Sequence, residues 1–341
     1  MRVLVDINHP AHVHFFKHFI KEMQERGHDV IVTASRKDIA FYLLNKYNID
    51  FIDLGSYGNT VTKKAMNVPI MALKMIKVVR KYKPDILIGI ASSRIAHAAF
   101  LLGKKSYVFT DTEHAKEQIA LFKPFATKIF TPDCFRDDLG KKQVRYPGYH
   151  ELAYLHPNRY RPNPDVLKEI GLSESDVFFI LRFVSWEASH DIGQRGLSIE
   201  SKNKLINILK TYGKIIITSE QELPKDFEEY RMPICPTKIH DLLYYSDLYI
   251  GEGGTMASEA ACLGTYSIYI NSLPAMGYIQ EEIDKYEMIF KSTEWKSIEL
   301  KLRSILNNGS IKIKNKNIYM KLINDKIDLS EYIINYTINA K

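Results

Sequence analysis

The stretch Leu248-Tyr249-Ile250-Gly251-Glu252-Gly253-Gly254-Thr255-Met256-Ala257-Ser258-Glu259 has the pattern of a buried strand, a glycine-rich turn and the start of a helix. Apolar residues suited to a strand run into Gly251, and small residues then lead into a helical run. Gly253 and Gly254 let the backbone approach a phosphate closely, Thr255 is placed to cap the helix, and the free N–H groups of its first turn attract an anion. Glu259 falls about one turn inside the helix, where a carboxylate can accept hydrogen bonds from both hydroxyls of a ribose. A ligand-free strand-to-helix turn uses the same ingredients, but the length, the strand context and the acidic residue together favour binding.

Outward from this stretch, β-rich runs alternate with amphipathic helical runs along the chain, which predicts parallel sheets covered by helices. The first series places strands near Val3–Ile7, Asp29–Ala34, Phe51–Leu54, Asp85–Gly89, Ser106–Thr110 and Lys128–Thr131, with a first helix over Phe15 to Glu25 stopped by Gly27. A second series follows the connector Pro157, Pro162 and Pro164, with strands near Val177–Phe183, Lys214–Thr218, Leu248–Ile250, Tyr266–Ile270 and Met288–Phe290. At 341 residues the chain fits two domains of roughly 100–200 residues each. The expected division is a Rossmann-like domain over 1–157, a second over 165–328, and a terminal helix over 329–341 that packs back on the first domain.

Open parallel sheets take ligands at the carboxyl ends of their strands, which directs attention to the loops that follow them. After the first strand comes Asn8-His9-Pro10-Ala11-His12-Val13, where His12 is expected to face the ligand and His9 lies on the acceptor side. His9, His12 and His14 do not have the spacing of a closed metal site. After the fifth strand, Asp111-Thr112-Glu113-His114 offers two carboxylates and an imidazole. Glu113 or His114 could take a proton from an acceptor hydroxyl, while a helix N-terminus capped by Asp111 or Thr112 is the plainer alternative. After the first strand of the second series, Arg182 sits where a guanidinium would neutralise a diphosphate leaving group, followed by Ser185, Trp186 and His190.

Gly253-Gly254, Ser258-Glu259 and Gly264 together resemble the donor-nucleotide motif of GT-B glycosyltransferases, especially the N-acetylglucosaminyltransferase that completes lipid II. The resemblance implies two Rossmann-like doubly wound domains facing across a cleft, with Glu259 on the ribose of UDP and His12 on the family histidine of the first loop. Pro10 and Ala11 stand where that family has glycines. The chain also resembles the non-hydrolysing UDP-N-acetylglucosamine 2-epimerases, whose catalytic aspartate after the fourth strand falls at Ala91 here and whose first-loop arginine is missing. Only Glu113 matches one of their carboxylates. Over its whole length the chain is similar to an uncharacterised archaeal and bacterial family with Asp6, the His-Pro-x-His loop and Asp111-x-Glu113-His114 as recurring features.

The expectation is therefore a glycosyltransferase that takes a nucleoside-diphosphate sugar, with UDP as the expected nucleotide, and glycosylates a glycan, lipid-linked or small-molecule acceptor. His12, Glu113 and His114 are its candidate catalytic residues, and Arg182, Gly253, Gly254, Thr255, Ser258 and Glu259 its nucleotide-sugar ligands. His9 and Asp111 lie on the acceptor side, and neither a metal nor a cofactor is expected. An epimerase-like enzyme and a catalytically silent sugar-nucleotide sensor are the alternatives. A net charge of +7 suits an anionic ligand, a nucleic acid or an anionic membrane. Scattered basic residues without a recognition helix, RNP or zinc-finger pattern disfavour nucleic acid. Cys134, Cys235 and Cys262 are too few and too scattered for a disulfide framework. With no signal peptide or membrane span legible, a cytoplasmic protein is expected. The helix Val68 to Tyr82 has Lys74, Lys77 and Lys81 on one side and Ile70, Leu73, Ile76 and Val79 on another, so it could rest on the inner face of a membrane, although such a helix more often covers a sheet.

Overall fold

The structure, a computed structural model, describes residues 1–37, 39–56, 58, 61–183, 196–219, 223–307 and 311–339, leaving aside the side chains of 61–65 and 311–316. The chain divides into two compact units, Met1–Arg159 with Ile327–Lys341, and Tyr160–Lys326. The change-over at Arg159 and Tyr160 lies within the proline-rich connector, and the returning segment begins at Ile327, two residues before the terminal helix Leu329–Ile338.

Unit 1 is built on a parallel sheet of β1 (Arg2–Ile7), β2 (Asp29–Ser35), β3 (Ile52–Gly55), β4 (Ile86–Ile90), β5 (Lys105–Phe109), β6 (Lys128–Pro132) and β7 (Gln143–Tyr146) in the order β3-β2-β1-β4-β5-β6-β7. Crossover helices cover both faces of such a sheet, so its central strands are buried along nearly their whole length. All of β4 and all but the first residue of β1 are buried. The order reverses between β1 and β4, which makes their carboxyl ends the topological switch point.

Unit 2 carries β8 (Phe178–Phe183), β9 (Lys214–Ser219), β10 (Leu248–Gly251), β11 (Ser267–Tyr269) and β12 (Ile289–Lys291) in the order β12-β11-β10-β8-β9, again all parallel. Its switch point lies between β8 and β10. The edge strand β7 has no counterpart among the expected strands.

Three local expectations are corrected. The first helix runs Pro10–Glu25 rather than starting at Phe15, because proline fits its first position and His9, in extended conformation, caps it by accepting from the Ala11 N–H at 3.2 Å. His12 is therefore a helical residue. The helix expected at Val68 begins at Val61 and turns Met71, Met75, Val78 and Val79 to the sheet, leaving Ile70 and Leu73 on the solvent side at 48% and 60% exposure. Lys74, on the expected basic side, donates to the Leu54 carbonyl at 2.7 Å. Gly27 behaves as expected, ending its helix at φ +79°. Among the described residues no helix is long and apolar enough to cross a membrane.

Candidate functional site

At the switch point of unit 1, Asp6, next to last in β1, has no exposed surface and is gripped by Arg94, itself 1% exposed. Arg94 Nε lies 3.0 and 2.9 Å from the two carboxylate oxygens, and its second guanidinium nitrogen donates to Oδ1 at 2.5 Å. Ser92 and Thr33 hydroxyls donate to the same carboxylate at 2.6 and 2.8 Å. Two charges taken out of water are tolerated only when geometry and hydrogen bonds satisfy both, which this arrangement does. Asn8 extends the network, donating from its amide to Asp6 at 3.3 Å and accepting from Ser35 at 3.4 Å.

The backbone N–H of Asn8 donates to His12 Nδ1 at 3.3 Å. Burial first, then the neighbouring His9 and His150, push the His12 imidazole well below its ordinary pKa, against the pull of Asp111. Asp111 lies 2.9 Å from His150 Nδ1 and accepts from Thr112 at 2.8 Å. Burial raises the Asp111 carboxyl, but His150 and Thr112 outweigh it and hold the group below the usual carboxylate range. The edge of the first sheet thus brings together His12, Asp111, His150 and Arg94, with the exposed His9 in the same helix start.

Glu113 takes another course. Its side chain is 6% exposed and accepts from the Arg136 N–H at 3.1 Å, which ties one loop to another. His114 stays half-buried at the same edge. Ala91, after β4, stands in the left-handed region at φ +45°, and its methyl can do no acid–base work.

In unit 2 the helix Gly254–Cys262 follows β10 at the switch point, with Gly253 as N-cap and no side chain bonded to the cap position. Thr255 is thus an exposed first-turn residue, not the cap: the helix begins two residues earlier than expected. Gly253 sits at φ −94°, so the glycines serve close approach rather than left-handed backbone. A Cβ on Gly254 would lie 3.1 Å from Met276 Cε and 3.2 Å from Tyr269 Oη, and one on Gly251 would run into the Tyr249 hydroxyl and Arg182 Cβ. Arg182 is half-buried near the end of β8, and its carbonyl accepts from the Glu252 N–H at 3.1 Å. Glu252 turns inward at 2% exposure and accepts from the Leu197 N–H at 2.9 Å.

Ser258 and Glu259 lie inside the unit. Ser258, expected to contact ligand, has no exposed surface and donates to Glu282 at 2.7 Å. Glu259 is 5% exposed, with one oxygen 3.1 Å from His240 Nε2. Ser185, Trp186 and His190 lie outside the described residues. Arg94, His150 and His240 do not stand out in the sequence, because the partners that give them meaning are remote in the chain.

The family model described as "Protein of unknown function (DUF354)" matches residues 1–338. The chain is 25% identical over 301 residues to the uncharacterized protein MJ0665 of Methanocaldococcus jannaschii, covering 84% of this chain and 86% of that one. Among solved structures it is similar to a UDP-GlcNAc 2-epimerase from Neisseria meningitidis bound to UDP-GlcNAc, with TM-score 0.68, 14% identity and 100% of both chains covered. It is also similar to the spinosyn rhamnosyltransferase SpnG complexed with thymidine diphosphate, with TM-score 0.66, 11% identity and 99% and 100% covered. At these identities the likeness is one of fold, and that fold is GT-B.

Proposed function

This chain belongs to the DUF354 family and has the GT-B fold, and we propose that it is a metal-independent glycosyltransferase that takes a nucleoside-diphosphate sugar, with UDP as its nucleotide. The carrying observation is the start of helix Gly254–Cys262 at the β8/β10 switch point, whose Gly253 N-cap has no side chain to bond its first turn, with Arg182 near the end of the neighbouring strand. Free N–H groups and the positive end of a helix dipole favour a diphosphate there, and the guanidinium adds a full charge. Glu259, held by His240, is the carboxylate on the same helix for the ribose.

In the transfer, the acceptor oxygen bonds to the anomeric carbon while the bond from that carbon to the diphosphate oxygen breaks. The electron pair leaves with the diphosphate, whose growing charge is met by the helix start and Arg182. The proton of the acceptor hydroxyl passes to an imidazole at the edge of the first sheet, for which His114 is the expected group.

Calorimetry with UDP on the wild type, Arg182→Ala and Glu259→Gln tests the nucleotide site. Each variant should lose about 1.5–3 kcal/mol of binding, the worth of a charge-assisted hydrogen bond. Unchanged affinity in both, at matched folded fraction, would leave the fold without a nucleotide site in unit 2. An epimerase reading is favoured by the likeness to the N. meningitidis structure and opposed by Ala91. Incubation with UDP-GlcNAc in heavy water separates the two, since an epimerase places deuterium at C2 without releasing UDP and a transferase releases UDP when its acceptor is supplied.

A further inference from the structure

A neutral imidazole has one N–H, and the group bonded to one nitrogen decides where it sits. A backbone amide can only donate. Asn8 N–H, directed at His12 Nδ1, therefore makes that atom the acceptor and leaves the proton on Nε2. His150 is the opposite case: its Nδ1 faces the Asp111 carboxylate, which can only accept, so the proton sits on Nδ1. The two neighbouring histidines are thereby fixed as different tautomers by their Nδ1 partners.

Asn8 is a firm anchor for this bond. Its side-chain nitrogen is tied to Asp6 and its side-chain oxygen to Ser35, and both of those residues are bonded to the buried Arg94. His12 is also the second residue after the start of its helix at Pro10, and its own N–H is bonded to the His9 carbonyl at 3.0 Å, which fixes the backbone that carries the ring. A residue that must accept a proton at Nε2 would need the opposite Nδ1 partner, a carboxylate or carbonyl, as in a carboxylate-oriented histidine base.

Resting on the transferase reading above, we propose that Asn8 is the positioning residue that keeps His12 as a permanent Nε2–H donor, so that His12 gives a hydrogen bond to a developing negative charge and takes no proton. The acceptor hydroxyl's proton then goes to His114. The groups around His12 agree with a ring that stays neutral: His9, His150 and Arg94 disfavour a second proton, and Asp111 alone favours one.

Nitrogen-15 NMR of histidine-labelled protein tests the tautomer without any substrate. His12 should show a protonated Nε2 and an unprotonated Nδ1, unchanged as pH is lowered to about 5. Asn8→Ala, which frees the backbone at that point, should mix the two tautomers of His12 while leaving His150 as it was. A protonated Nδ1 on His12, or titration near the ordinary histidine value, would overturn the proposal. In turnover, His12→Ala should fall about 10²–10³-fold, the usual loss of one preorganised donor. His12→Gln, whose amide N–H stands near the position of Nε2–H, should stay within about tenfold of the wild type. Equal loss in both variants would overturn the donor role. The expected tautomer in a protein that turns over no sugar nucleotide would sink the transferase reading alone.

Discussion

Glu282 shows what one buried carboxyl can do to the pH response of unit 2. It has no exposed surface, accepts from Ser258 at 2.7 Å, and its second oxygen has no hydrogen-bond partner among the described residues. Burial pushes it up to about 8, against the hydrogen bonds from Ser258 and Cys262. A carboxyl whose folded pKa is raised holds its proton in the folded state after the unfolded chain has released it. Its stabilising contribution is thus fully present below the unfolded value of about 4.5 and is lost as pH rises to about 8. The slope in that window is about 1.4 kcal/mol per pH unit for one proton. Glu282→Gln keeps the shape and removes the titration, so urea unfolding should show the wild type weakening relative to the variant from about pH 5 to about pH 8. A constant difference across that range would mean that the carboxyl is not protonated in the fold. None of this is legible in the sequence, where Glu282 is one glutamate in a surface-like helical run. The same holds for Arg94: Asp6 stands out as a carboxylate near the end of the first strand, but its partner lies 88 residues away and becomes visible only when β1 and β4 pair.

At the scale of elements, the helix Gly254–Cys262 separates two effects of charge. Its first turn contains no acidic residue, and Thr255 there is exposed. Thr255→Glu should strengthen the free protein by about 0.3–1 kcal/mol, because a carboxylate suits the positive end of the dipole. The same carboxylate should repel a diphosphate, so UDP affinity should fall while the melting temperature of the unliganded protein rises. Melting curves with and without UDP read both signs in one experiment, and a variant that gains stability without losing UDP would show that the nucleotide does not use this helix start. The glycine-rich turn itself is legible because three glycines within four residues interrupt an apolar strand just where a helix must begin. Its cap is ambiguous by one or two residues, since Gly253 and Thr255 can each precede a helix. The start of the first helix is hidden for a related reason: Pro10 has the look of a loop residue, although proline lacks the very N–H that a first helical position leaves unused. The strand Gln143–Tyr146 is not legible, because a four-residue edge strand with two polar side chains has no apolar run to announce it.

At the scale of the whole molecule, the chain that leaves unit 1 at Arg159 returns to it at Ile327, so the first unit is completed only by the last residues. Leu329, Ile333 and Ile334 of the terminal helix are buried, Tyr336 packs edge-on to Phe130 with centroids 4.8 Å apart, and Ser330 donates to the Ala153 carbonyl at 2.7 Å. Arg159 fastens the same helix through Asp328 and Glu331 at 2.6 and 2.9 Å and is also paired with Glu22 of the first helix. Burying each large aliphatic side chain is worth about 1.5–3 kcal/mol. Three of them, with the aromatic contact and the ion pairs, approach the roughly 5–15 kcal/mol on which a whole domain rests. A chain ending at Lys326 should therefore lose unit 1 selectively. Amide hydrogen exchange should show the strands β1, β4 and β5 exchanging orders of magnitude faster than in the full chain, with β8 and β10 protected as before. Arg159→Ala should give a partial version of the same pattern, because it removes the fastening but leaves the apolar face. Uniform loss of protection across both units would mean that they fold as one. Unchanged protection of β1 in the truncated chain would show that the terminal helix lies on unit 1 without supporting it.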